Sequence, residues 1–224
     1  MGDVVPAVLP LAVVVAVSPV PVLAVVLLLL TPRAGVTGPG FLAGWVAGIA
    51  GVTGLFVVLA GDRAPGGAGR SSTAASWIEL GLGVLLLALA ARQYRARPRP
   101  GTVRRTPAWL AAVDRFTVVR AGVLGLVVSV ANPKILLVCV AAGLAIADGG
   151  ASGARDAWSV VVFTAAAAST VAIPVVAHSV GRRRMAGPLE ALRGWLVAHG
   201  TAVAVGLLLL LGVVLVGQGL GGLV

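Results

Sequence analysis

Six apolar runs, none with the polar face of a soluble core helix, constrain this chain more than any other feature. They cover about Val4–Leu30, Pro39–Ala60, Ala74–Ala91, Ala121–Ala147, Ala157–Val180 and Leu196–Gly217. Each is long enough to cross an apolar layer of about 30 Å as a helix rising about 1.5 Å per residue. The expected fold is therefore an all-α integral membrane protein with six transmembrane helices. One domain fills residues 1–224, with a first half over 1–92, a basic cytoplasmic linker over 93–120 and a second half over 121–224. Only 11% of residues are charged, against about 25% in soluble domains, which leaves no soluble catalytic domain to expect.

The net charge of +10 would suggest nucleic acid in a soluble protein. Here the charges lie between the apolar runs, so they report topology, and no nucleic-acid partner is expected. Arg33 lies in the first connection, Arg92, Arg95, Arg97, Arg99, Arg104, Arg105, Arg115 and Arg120 in the third, and Arg182, Arg183, Arg184 and Arg193 in the fifth. That makes thirteen on one side, against Arg63, Arg70 and Arg155 on the other. The richer side is expected to be cytoplasmic, with both termini outside. Met1–Asp3 carries no positive charge and the following run is too long for a signal-peptide core, so it reads as the first span. The Ala-, Gly-, Val-, Arg- and Pro-rich composition suits a GC-rich bacterial genome, hence a bacterial cytoplasmic membrane.

Two runs are interrupted near their middles, at Ser18-Pro19-Val20-Pro21 and at Asn132-Pro133-Lys134. Proline removes a helical hydrogen bond, and in lipid the freed carbonyl needs another donor, which Ser18 or Asn132 is placed to supply. Lys134 adds a charge near the bilayer centre at a cost of about 2.5–3.5 kcal/mol on insertion scales, so it should face a polar cavity or a partner. The first span starts outside and the fourth inside, so the two three-helix halves form an expected 3+3 inverted repeat. Broken helices at matching positions of such repeats point to a transporter site at mid-membrane. Ser18, Pro19, Pro21, Asn132, Pro133 and Lys134 are therefore the expected transport path. Glu79, Thr170, Pro174 and His178 are secondary candidates, with Glu79 near the outer end of the third span and His178 able to carry protons. Ser169 and Thr170 are expected to bond backward along their own helix.

Smaller features fill in the plan. Gly40, Gly44 and Gly48 recur four apart, a spacing that lets helix backbones pack closely in lipid. Arg97–Gly101 reads as an extended linker, and Thr106–Phe116 as a short helix on the cytoplasmic membrane surface, with Pro188–Trp195 a second such piece. Cys139 is the single cysteine, so neither an intramolecular disulfide nor a cysteine-based metal cluster is expected. No nucleotide-binding motif, cofactor site or paired acid and base stands out, so the chain is not expected to be an enzyme.

Ser18–Leu23, Thr31–Arg33 and Phe41–Trp45, with Trp109–Asp114 and Asn132–Lys134, resemble the peptidoglycolipid-addressing (GAP, or Sap-like) family of actinobacteria. That family is placed in the LysE exporter superfamily. The resemblance implies six spans and an exporter that moves a lipid, glycolipid or related small molecule toward the cell surface. Where Asn often follows Asn-Pro-Lys in the family, Ile135 stands here, which takes a polar group from the cavity and leaves the cargo open. The competing expectations are a non-transporting subunit that assembles a surface-lipid export machine, and a lipid-modifying membrane enzyme. Expected partners are the cargo, anionic lipid headgroups at the basic face, and either further copies of the chain or an export-machine protein.

Overall fold

A computed structural model describes residues 4–61, 73–95, 116–149 and 153–221, and nearly all of them are helical. The helices are α1 (Val4–Ala16), α2 (Pro19–Leu29), α3 (Ala34–Gly61), α4 (Thr73–Arg95), α5 (Val118–Val130), α6 (Pro133–Asp148), α7 (Ala154–Val180) and α8 (Arg182–Gly221). Each apolar run has become one helix or one bent pair. α1 and α2 meet at 46°, and α5 and α6 meet at 71°. Both bends begin where proline takes the first position of the next helix, the place where its missing amide hydrogen costs nothing.

Among the described residues, three helices are long and apolar enough to cross a membrane, or five if each bent pair is one span. The protein is thus a multi-pass membrane protein. Its surface agrees: Val58, Ile173, Leu210 and Val213 are each more than 60% exposed. Large apolar side chains spread over every side suit lipid and not water. The third expected span, Ala74–Ala91, corresponds to α4, which is 23 residues long but is not among those five.

Close backbone approach sets the packing. A Cβ on Gly44 would overlap the Gly122 carbonyl, one on Gly48 would overlap the Ser129 hydroxyl, and one on Gly40 would meet the Val118 carbonyl at 2.6 Å. The glycine stripe is thus the seat of α5. The order of these pairs makes α3 and α5 run parallel, and α3 continues onto α6, where Gly143 lies under Thr53 and Phe56. A second seam joins α4 to α8. Gly219 faces Ser76 and Leu80, while Gly212 faces Gly83 and Leu87, so these helices run antiparallel. The remaining packing sets α1 on α6 and α7, α3 on α7, and α2 on α8.

Two expectations change here. Pro188–Trp195 is no separate surface piece: α8 runs unbroken over 40 residues from Arg182, about 60 Å at about 1.5 Å per residue. Tyr94 and Arg95 close α4, and Val118–Arg120 open α5, so both edges of the expected 93–120 linker are helical. The interfacial helix expected over 106–116 and the extended 97–101 segment lie outside the described residues, apart from Phe116, which is not helical.

Candidate functional site

The first break is made by Pro19 and Pro21. Pro19 cannot supply the amide hydrogen that Val15 would accept in a straight helix. The Ser18 amide takes its place at 3.1 Å. The Ala16 carbonyl is satisfied from outside the helix: the Thr170 hydroxyl on α7 donates to it at 2.5 Å. This corrects two expectations. Ser18, though buried, makes no side-chain cap. Ser169 does bond backward, to the Ala166 carbonyl at 2.8 Å, but Thr170 crosses to the end of α1 at the first break. A buried carbonyl is expensive to leave unpaired, so this bond fixes α7 against the elbow of α1 and α2.

That elbow opens onto a groove of about 390 Å³. Its wall is almost wholly apolar and includes Pro19, Pro174 and Pro188, one from each of three helices. Gly200 lets α8 lie against Pro19, since a Cβ there would sit 3.0 Å from the proline ring. Pro174 and Pro188 each remove a backbone hydrogen bond inside their own helix, and Pro19 opens the bend between α1 and α2, all around one space. Met185, Leu189 and Trp195 of α8 complete the wall, residues that a short surface piece would have kept away from it.

The second break is built differently. Asn132 accepts a hydrogen bond from the Lys134 amide at 3.2 Å, so its side chain caps α6 and does not donate to a freed carbonyl. Lys134 is only 7% exposed, and its ammonium has no hydrogen-bond partner among the described residues. Pro133 and Ala131, on either side of Asn132, are exposed on the outer surface. Neither Asn132 nor Lys134 lines the groove at the first break.

The expected residues thus divide. Pro19, Thr170 and Pro174 meet at the groove. Ser18 and Pro21 are buried beside it in the elbow. Asn132, Pro133 and Lys134 form a separate niche at the head of α6. His178 is buried in the last turn of α7 and does not line the groove. Glu79 belongs to α4, but its side chain lies outside the described residues. The sequence reading missed Thr53, which is fully buried on α3 beside the Cys139 thiol, and the α8 wall of the groove. Among the described residues, no group of three or more His, Cys, Asp or Glu is placed to hold a metal ion.

Comparison with known families gives a match over residues 8–221, nearly the whole chain, to the family described as Sap, sulfolipid-1-addressing protein. Comparison with curated proteins and with solved structures gives no match.

Proposed function

The chain belongs to the Sap, sulfolipid-1-addressing protein family, and from that premise we propose that it is a lipid exporter whose path runs through its two proline breaks. The observation that carries this reading is the pair of broken spans in a lipid-facing bundle, one opening on an apolar groove and the other burying Lys134. Broken helices with polar residues at mid-membrane are where secondary transporters hold cargo. Pro19, Pro174 and Pro188 give three helices a common place to bend, as opening and closing the groove requires.

Six crossings in a LysE-like 3+3 arrangement fit the packing best. α3 and α5 run parallel, so if both cross the membrane the chain must return between them, and α4 is the helix available to do so. Trp77 and Tyr94, both exposed, lie seventeen residues apart on α4, or about 26 Å at about 1.5 Å per residue. That spacing suits aromatic anchors at the two faces of a bilayer. The contacts also exchange between halves. α3 packs on α5 and α6 as α7 packs on α1 and α2, and α2 packs on α8 as α6 packs on α4. The charge bias then puts the Arg-rich connections in the cytoplasm and both termini outside.

The protein acts without enzymatic chemistry or a cofactor of its own, and its basic face meets anionic headgroups. The test is transfer of a fluorescent glycolipid between leaflets of proteoliposomes that contain only this chain, read by protection from an impermeant reductant. Transfer should be present in the unaltered protein and lost in Lys134→Ala and Asn132→Ala variants that still insert. Normal transfer by both variants would remove the proposed path. Absence of transfer by the unaltered protein, for every surface glycolipid tried, would favour the non-transporting subunit.

A further inference from the structure

Among the described residues, two donors at the head of α6 have no partner. Pro133 has no amide hydrogen, Asn132 accepts from the Lys134 amide, and the Leu136 amide bonds the Asn132 carbonyl at 2.9 Å. The Ile135 amide is left as the first-turn donor with no acceptor among the described bonds, and Ile135 is fully buried. The Lys134 ammonium beside it is also buried and has no partner among the described residues. α6 is 16 residues long, so its aligned peptide dipoles add positive potential at this end. A cation in such a place is retained against its desolvation only when an anion completes it.

We propose that the second break is an oxyanion site completed by the cargo, in which Lys134 and the first turn of α6 receive the sulfate or similar anionic headgroup of a lipid. This rests on the reading that the break lies on the transport path. The anion must be lipid-borne because of what surrounds the niche. Val127, Val130, Ala131 and Pro133 are all exposed on the apolar outer surface of the same elbow. A headgroup can enter sideways there while its tail stays in the hydrocarbon. A free aqueous anion would have to cross that apolar surface unaccompanied. Asn132, by taking the Lys134 amide, holds the turn so that the remaining donors stay together.

The test compares two lipids that differ by one sulfate, sulfatide and galactosylceramide, binding to the purified full-length protein in neutral nanodiscs and counted by native mass spectrometry. Charge-assisted hydrogen bonds are about twice as strong as neutral ones, so sulfatide should be preferred by roughly tenfold or more. Lys134→Met, which removes a buried charge and keeps the apolar stem, should erase the preference, and Lys134→Arg should keep most of it. Inorganic sulfate should compete only at concentrations far above those of sulfatide. Equal binding of the two lipids, or a preference that survives Lys134→Met, would overturn the site. Competition by inorganic sulfate at sulfatide-like concentrations would overturn its lipid-borne character. If Lys134→Met stops lipid transfer yet keeps the sulfate preference, the anion site is wrong and the path stands. If that variant transfers lipid normally, the path fails as well.

Discussion

Gly44→Ala tests the seam on which the arrangement of the two halves depends. Gly44 lies in the first half of α3, and a Cβ there would overlap the carbonyl oxygen of Gly122 on α5. Overfilling a packed interior costs about 1–3 kcal/mol when side chains can yield. Here the obstacle is backbone, held by its own helix, so the upper figure of about 3 kcal/mol applies. Alanine favours the helix over glycine by about 1 kcal/mol, which offsets part of the loss. The net destabilisation should be about 2 kcal/mol, or roughly a thirtyfold fall in the ratio of folded to unfolded protein.

Gly51→Ala on the same helix is the control. Nothing lies within 4 Å of a Cβ built there, so only the helix preference remains. It should be neutral or more stable by up to about 1 kcal/mol. The two variants should therefore differ by about 2–3 kcal/mol, although each adds one methyl group to the same helix. Reversible unfolding in mixed micelles, followed by tryptophan fluorescence, can read this difference. Trp45, fully buried and stacked on Phe41 at 6.5 Å, adjoins the seam and should report its opening. Equal stability of the two variants would refute the close approach of α3 and α5. The parallel pairing, and the case for α4 as a crossing, would fall with it.

Thr170→Val should cost about 1–3 kcal/mol in the same unfolding assay, because the buried Ala16 carbonyl loses its donor, and Thr170→Ser should restore most of it. A valine variant as stable as the serine variant would show that the elbow does not need this bond. Cysteines introduced at Ala68 and Gly101, before and after α4, should react with an impermeant maleimide from opposite sides of the membrane. Labelling of both from one side would deny α4 its crossing. The native Cys139 is 1% exposed and beside Thr53, so it should stay unlabelled until the protein is unfolded, and early reaction would mean that α3 and α6 separate readily.

Where a feature depended on backbone chemistry alone, the sequence was enough to find it. Proline after a polar residue in the middle of an apolar run located the interruptions at Ser18-Pro19 and Asn132-Pro133 to the residue, although Pro10, Pro39, Pro174 and Pro188 stand inside continuous helices. The stripe of Gly40, Gly44 and Gly48 likewise announced a close helix partner, though not that the partner was α5. Features that depended on which helices meet stayed hidden. Thr170 could bond within α7 as well as Ser169 does, and only the nearness of an unpaired carbonyl 154 residues away decides otherwise. The α4–α8 seam sets Gly83 against Gly212 and Gly219 against Ser76 and Leu80, pairings between two runs that neither run shows by itself. Pro188 reads locally as a helix start, yet α8, packed against α7 and the first elbow, continues through it.

The two breaks share a cause but differ in what completes them. At the first, a hydroxyl from another helix satisfies the carbonyl, and the space beside it is apolar. At the second, Asn132 caps its own helix and leaves a buried ammonium beside it. On the proposed reading of two inverted halves, exchanging these surroundings would open the second elbow as the first one closed, which is alternating access at a fixed pair of hinges. Cargo can drive such an exchange only by binding one arrangement better than the other. On the proposed reading, an amphiphile meets that condition in a way a small polar solute does not. Its charged end has a use for Lys134 and its hydrocarbon end for the wall of Pro19, Pro174 and Leu189, so each break can prefer a different part of the same molecule.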